Sequence, residues 1–171
     1  MKSIAGKNLV LIGFMGTGKT EVGKLLASSL NRRLVDTDQL IVDRAGITIA
    51  EMFAQHGEPY FRRQEKAVIA ELCQQKGLVI STGGGAILDP DNVAQLRAAG
   101  LVIWLDASVA ELERRLADDQ SRPLLAGGTK LAELYQQREN AYRQAAHRRV
   151  DTTGKSPLTV VGEIMDIIRQ E

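Results

Sequence analysis

Gly13-Phe14-Met15-Gly16-Thr17-Gly18-Lys19-Thr20 is the stretch whose reading decides the fold. An apolar run, Leu9 to Ile12, leads into it, and apolar residues at helical spacing (Val22, Leu25, Leu26, Leu30) follow it. Strand, glycine-rich turn and helix form the context in which the pattern G-x-x-x-x-G-K-[ST] has a mechanism. Glycines let the backbone curl until its N–H groups converge on phosphate oxygens, and the helix N-terminus adds the positive end of its dipole. Gly13, Gly16, Thr17 and Gly18 supply this cradle. Lys19 is spaced to reach the β- and γ-phosphates, and the Thr20 hydroxyl to sit on Mg²⁺. The stretch is read as a nucleoside triphosphate site.

The rest of the chain has the size of one domain, 1–171, with 44% apolar and 25% charged residues. Its formal net charge is +1 and it carries no long basic run, which argues against nucleic acid or an anionic membrane as partner. The most apolar stretches are far too short to span a bilayer. Cys73 is alone, so it forms no internal disulfide and fits a reducing compartment. Met1-Lys2-Ser3-Ile4 runs almost directly into the phosphate loop, with no signal-peptide pattern, and the expected location is the cytoplasm.

Short apolar runs alternate with helical patterns, which predicts a parallel sheet with helices on both faces. Leu34-Val35 is a second strand ending in Asp36-Thr37-Asp38. Asp38 is expected to cap a helix from Gln39 to Ala45 that Gly46 ends. Thr48 to Glu51 has the capping-box pattern, and a longer helix is expected from about Tyr60 to Gln75. Leu78 to Ser81 is the third strand and ends in Thr82-Gly83-Gly84-Gly85. Asp89-Pro90 starts a helix that Gly100 terminates, and Leu101 to Leu105 is a strand buried on both faces. Ser108 to Glu111 is a second capping box. The pattern breaks over Asp118 to Thr129, and a long helix then leads to a fifth strand near Arg149-Val150-Asp151 and a last helix from Pro157.

Ligands of open parallel sheets lie outside the carboxyl ends of the strands. Two groups stand there: the paired carboxylates Asp36 and Asp38, able to serve a magnesium ion and a substrate hydroxyl, and the three glycines, which let a ligand approach the backbone closely. Asp38 as a mere helix cap, and the glycines as a plain loop, remain the bland readings. On the helix from Leu131, Arg138 falls within the apolar stripe of Leu131, Leu134, Tyr135 and Tyr142. On the helix from Tyr60, Arg62 and Glu65 share a face with Val68, Ile69 and Leu72. Charge on an inward stripe needs a partner, and two such arginines suggest two-pronged capture of a carboxylate. His56, His147 and Cys73 suggest no catalytic role.

The phosphate loop, Asp36-Thr37-Asp38, Phe61-Arg62-Arg63-Gln64-Glu65, Thr82 to Gly85 and Arg122-Pro123-Leu124-Leu125, in that order, make the whole chain resemble the shikimate kinases. The resemblance implies a three-layer α/β/α P-loop kinase fold with a five-stranded parallel sheet, order 2-3-1-4-5, and a mobile lid at about 118–129. It implies transfer of the ATP γ-phosphoryl group to the 3-hydroxyl of shikimate. By that match Asp38 contacts the shikimate hydroxyls and accepts the reacting proton. Arg62 and Arg138 hold the carboxylate, Glu65 supports the arginines, and Gly83, Gly84 and Gly85 cradle the ring, with about 38–66 as the shikimate-binding segment. Arg122 reaches the phosphates from the lid, Arg115 and Pro157 sandwich the adenine, and Asp36 joins Thr20 at Mg²⁺ through water. The expected form is a monomer. A kinase for another small metabolite, such as gluconate, keeps the phosphate loop but leaves Arg62 and the triple glycine unexplained. No asparagine is followed by lysine, so the guanine motif of a GTPase is absent.

Overall fold

A computed structural model describes residues 4–117 and 130–171. Five strands make one parallel sheet: β1 (Asn8–Ile12), β2 (Leu34–Asp36), β3 (Val79–Ser81), β4 (Gly100–Asp106) and β5 (Arg148–Asp151), in the spatial order β2-β3-β1-β4-β5. That is the order expected of the family resemblance. The helices are α1 (Lys19–Leu30), α2 (Thr37–Ala45), α3 (Ile49–His56), α4 (Glu58–Cys73), α5 (Pro90–Ala99), α6 (Val109–Leu116), α7 (Leu131–Ala145) and α8 (Pro157–Gln170). The proposed lid, 118–129, and its Arg122 lie outside the described residues.

Side chains of a strand alternate between faces, and β1 and β4 use both. Leu9, Leu11, Leu101, Ile103 and Leu105 meet Val22 and Leu26 of α1 and Ile164 and Ile168 of α8 in one cluster. Val10, Ile12, Val102 and Trp104 meet α3, α4, α5 and α7 in the other. Both central strands are therefore buried throughout, as their unbroken apolar character requires. Their register puts Asn8 opposite Gly100, where a Cβ would strike the Asn8 carbonyl oxygen. Gly100 does not merely end α5; it is the first residue of β4. The buried Asn8 side chain bridges β1 to the β3 side, accepting from Leu78 N–H at 2.9 Å and donating to the Gln75 carbonyl at 2.9 Å. Trp104, 1% exposed, stacks on Tyr142 with ring centroids 5.9 Å apart, and the guanidinium groups of Arg143 and Arg149 sit over its ring.

The helix starts correct three expectations. Asp36, not Asp38, caps α2: its carboxylate accepts from Gln39 N–H at 3.1 Å, and the helix begins at Thr37, which places Asp38 in the first turn. Thr48 and Glu51 form the reciprocal capping box at α3, but Ser108 accepts from Glu111 N–H without the return bond, because Arg114 and Arg115 claim the Glu111 carboxylate. Further, α4 begins two residues before Tyr60, at Glu58, where Gly57 (φ 81°) breaks the chain direction and Pro59 suits a first turn. It stops at Cys73 rather than Gln75.

At the other end of the sheet His147 extends β5 toward β4. Its N–H donates to the Val102 carbonyl at 2.8 Å and its Nδ1 accepts from Val102 N–H at 3.0 Å, so the neutral ring is required. Burial, with Arg97, Arg148 and Lys7 nearby and Glu171 opposing them, holds its pKa below the usual 6.5. The unfolded chain therefore takes up this proton first. The His147 contribution is complete above about pH 6.5 and is lost as pH falls through the lower folded value. His147→Asn keeps an acceptor that does not titrate. Urea unfolding at pH 7.5 and 5 should show a smaller acid loss of stability in the variant than in the parent chain, and equal losses would remove His147 from this role.

Candidate active site

The phosphate loop closes by glycine geometry. Gly13 (φ 151°), Gly16 (φ 82°) and Gly18 (φ 91°) all occupy the left-handed half of conformational space, where side chains are strained. Gly13 has a second reason, since a Cβ there would run into the backbone oxygen of Leu105 in β4. Thr17 is buried and its hydroxyl donates to the Phe14 carbonyl at 2.8 Å, tying the loop to itself. Lys19 Nζ lies across the loop, donating to the Gly13 and Phe14 carbonyls at 2.7 and 2.9 Å. Thr20 Oγ1 stands 3.5 Å from Asp36 Oδ2, so the strand-ending acid and the first turn of α1 bring two hard oxygen donors together. Those donors suit Mg²⁺, which binds through few protein ligands and keeps several waters.

Beside the loop lies a cavity of about 320 Å³, and the candidate residues from five parts of the chain line it: Lys19 and Thr20, Asp36 and Asp38, Arg62 and Glu65, Gly83 to Gly85, and Arg138. Met15, Ile49, Phe53 and Phe61 supply apolar wall. Glu65, 1% exposed, accepts from Arg62 Nη1 at 2.8 Å through Oε1, while its Oε2 has no hydrogen-bond partner. Burial pushes the Glu65 carboxyl above the usual range, Arg62 opposes that, and the Asp38 charge adds to it. Arg138 is 3% exposed, and its Nε is likewise without a partner. Buried polar atoms of native proteins are almost always bonded, so these two exceptions mark a place for a polar ligand.

The glycine turn is held within contact distance of every charged group in the cavity's far wall. A Cβ on Gly83 would come within 2.5 Å of Asp38 Oδ1 and 2.9 Å of Glu65 Oε2; one on Gly84 would sit 3.3 Å from Arg138 Nη1; one on Gly85 would sit 2.6 Å from Arg62 Nη1. None of the three has a positive φ. They are glycines for what they touch, not for how they turn. Gly83 N–H donates to the Thr37 hydroxyl at 3.1 Å, and the Gly84 carbonyl accepts from the Tyr142 hydroxyl at 2.5 Å.

On the other side of the loop Arg115 and Pro157 line a second hollow of about 430 Å³ together with Gly16, Thr17 and Gly18. Arg115 is braced there, donating to the Gly16 and Thr152 carbonyls at 3.0 and 2.9 Å and to Glu111 at 3.0 Å. Arg114 and Arg115 hold the Glu111 carboxyl down to about 2.

Several contributing residues had no signal of their own in the sequence. Thr37 and Tyr142 act through hydroxyls on side chains that pattern alone reads as a strand end and an apolar stripe. Glu58 adds a second acid to Arg62, at 3.1 Å, from the helix turn that was expected to begin later. Asp106, the last residue of β4, was legible as an acid directly after an apolar run. It is buried, takes Arg149 at 2.7 Å and the Tyr135 hydroxyl at 2.8 Å, and so fixes α7 to the sheet. Burial pushes the Cys73 thiol up to about 11, leaving it protonated and unreactive.

A family model described as shikimate kinase matches residues 15–169. Among curated relatives, the shikimate kinase of Geobacter metallireducens is 47% identical over 161 residues, covering 92% of this chain and 89% of its own. That of Geobacter sulfurreducens is 49% identical over 168 residues, covering 96% and 92%. Among solved structures, the shikimate kinase of Acinetobacter baumannii in complex with shikimate superposes with a TM-score of 0.92 at 36% identity, over 98% of this chain and 95% of that one.

The loop geometry separates two costs. Gly18→Ala meets no neighbour and should cost only left-handed strain, about 1–2 kcal/mol. Gly13→Ala adds a collision with strand backbone that cannot yield, and urea unfolding should show a clearly larger loss. Equal losses would mean that β4 does not constrain the loop.

Proposed function

As a member of the shikimate kinase family this chain phosphorylates shikimate with ATP, and we propose that the two hollows flanking its phosphate loop divide that work as follows. Arg62 and Arg138, carried by different helices, converge on Gly84 and Gly85 and together bind the shikimate carboxylate. This convergence of two guanidinium groups beside a phosphate loop is the observation that carries the assignment. Glu65 and Glu58 orient Arg62. The ring rests on Gly83 to Gly85, with the hydroxyls toward Asp38.

Asp38 orients the 3-hydroxyl and accepts its proton as the oxygen attacks the γ-phosphorus. The bond from that phosphorus to the β–γ bridging oxygen breaks and ADP leaves. Lys19 neutralises charge on the transferred group, exchanging its loop carbonyls for phosphate oxygens. Thr20, directly, and Asp36, through water, would hold Mg²⁺, which would offset phosphate charge when bound. ATP lies along the loop with its adenine between Arg115 and Pro157. Arg122, in the segment 118–129, keeps the lid role that the resemblance implies. We place the enzyme in the cytoplasm as a single-domain monomer, without nucleic acid or membrane partners; no helix among the described residues is long and apolar enough to cross a membrane.

Arg138→Ala should weaken shikimate binding by about 10²–10⁴-fold, the cost of removing one partner of a buried ionic contact, and leave ATP binding nearly intact. Calorimetric titration of each ligand decides it: unchanged shikimate affinity, or an equal fall for ATP, would refute the clamp. Asp38→Asn tests the base. Asp36 holds the helix cap, so this substitution should spare the melting temperature while kcat falls by about 10²–10⁴-fold. Unimpaired turnover would reduce Asp38 to a contact.

A further inference from the structure

Gly83 to Ala86 form a β-turn, closed by Ala86 N–H donating to the Gly83 carbonyl at 3.2 Å. Gly85, at the third position, has φ −97° and ψ 2°, and Gly84 has no positive φ, which makes this a type I turn. Rotating only the central peptide plane, between Gly84 and Gly85, would give a type II turn with the same ends. Type II needs a positive φ at its third position, which glycine supplies freely and other residues do not. A side chain at 85 would block the alternative turn, but Arg62 occupies the space that its Cβ would need. The close approach of Arg62 thus leaves the turn with two accessible states.

The two states differ in what they show the substrate. A trans peptide points its carbonyl and its N–H in opposite directions, and no cis bond is present among the described residues. In the type I state the Gly84 carbonyl points toward α7, where the Tyr142 hydroxyl donates to it at 2.5 Å. The Gly85 N–H therefore points away from the Tyr142 hydroxyl, and Gly85 itself lines the cavity together with Arg62 and Arg138. In the type II state the carbonyl oxygen would point that way instead. One state offers a donor to a carboxylate and the other a repelling dipole.

We propose that Tyr142 is a positioning residue that locks this peptide in its donor-facing state, so that the Gly85 N–H completes the carboxylate site made by Arg62 and Arg138. The lock is well built. The Tyr142 ring is fully buried and stacked on Trp104, so the hydroxyl has little freedom to leave. Burial pushes that hydroxyl up to about 12 against the pull of Arg138, so it remains a donor at every working pH. The inference rests on the carboxylate clamp proposed above, and the two fail separately.

Tyr142→Phe keeps the ring and removes only the donor. Losing one hydrogen bond to a charged group should weaken shikimate binding about 10- to 100-fold. ATP affinity should hold, and kcat at saturating shikimate should change much less than KM, because the contact is made equally in ground and transition states. The carboxamide of shikimate, titrated in parallel, should lose less than the acid does. Amide NMR spectra of the unliganded variant should show shifted or broadened signals confined to Gly84, Gly85 and Ala86, a readout that stands even if the variant is less stable. Shikimate affinity within twofold of the parent, an equal loss for the carboxamide, or unmoved glycine amides would each overturn the lock. Should Arg138→Ala leave shikimate binding unchanged while the glycine signals move in Tyr142→Phe, the clamp is what fails.

Discussion

Charge buried without a full set of partners is the constraint around which this molecule is arranged. Taking a guanidinium or a carboxylate out of water costs several kcal/mol, and only good geometry from counter-charges and hydrogen bonds returns it. Arg138 and Glu65 are both nearly inaccessible, each with an atom that nothing in the described fold satisfies. A chain selected for stability alone would fill these positions with apolar residues. Here the deficit is placed at the carboxyl edge of the sheet, beside the phosphate loop, where an anionic substrate can make it good. Preorganised and underpaired groups of this kind bind what they lack.

The sheet makes that arrangement affordable. Parallel order β2-β3-β1-β4-β5 sets β1 at the centre, with the phosphate loop at its end, the Asp36 end of β2 and the glycine turn of β3 to one side, and Asp106 of β4 to the other. Two sealed apolar clusters hold the strands from both faces, so the edge can carry strained glycines and unpaired charge. Asp106 shows the difference between the two kinds of buried acid. It is saturated by Arg149, Tyr135 and the Ala107 N–H, and it serves structure. Glu65 is left half-satisfied, as its proposed place beside the substrate requires.

Much of this was legible in the residues. The phosphate loop announces itself because its chemistry needs fixed spacing, and β1 and β4 do because doubly buried strands are apolar at every position. Arg62 and Arg138 stand out as charges on apolar stripes. The exchange between Asp36 and Asp38 was not legible: two acids two residues apart both satisfy a capping preference, and only the backbone tells which one precedes the first helical residue. Tyr142 was hidden for a different reason. Pattern reading counts tyrosine as apolar and is blind to where one hydroxyl ends up in three dimensions. Glu58 was not legible because the first turn of α4, Glu58-Pro59, precedes the apolar stripe by which a helix is recognised.

Trp104 is the chain's single tryptophan, and its position has an optical consequence. One ring away, through the Tyr142 it stacks on, lies the glycine turn of the proposed substrate site; on its flanks sit the cations of Arg143 and Arg149. An indole so enclosed emits in the blue part of its range, and its brightness depends on the charges and dipoles packed against it. Whatever disturbs the glycine turn or the end of β5 is carried to the fluorophore through rigid contacts rather than through solvent. The protein thus contains its own spectroscopic gauge of the glycine turn, with no second indole to dilute the signal and no label to perturb it.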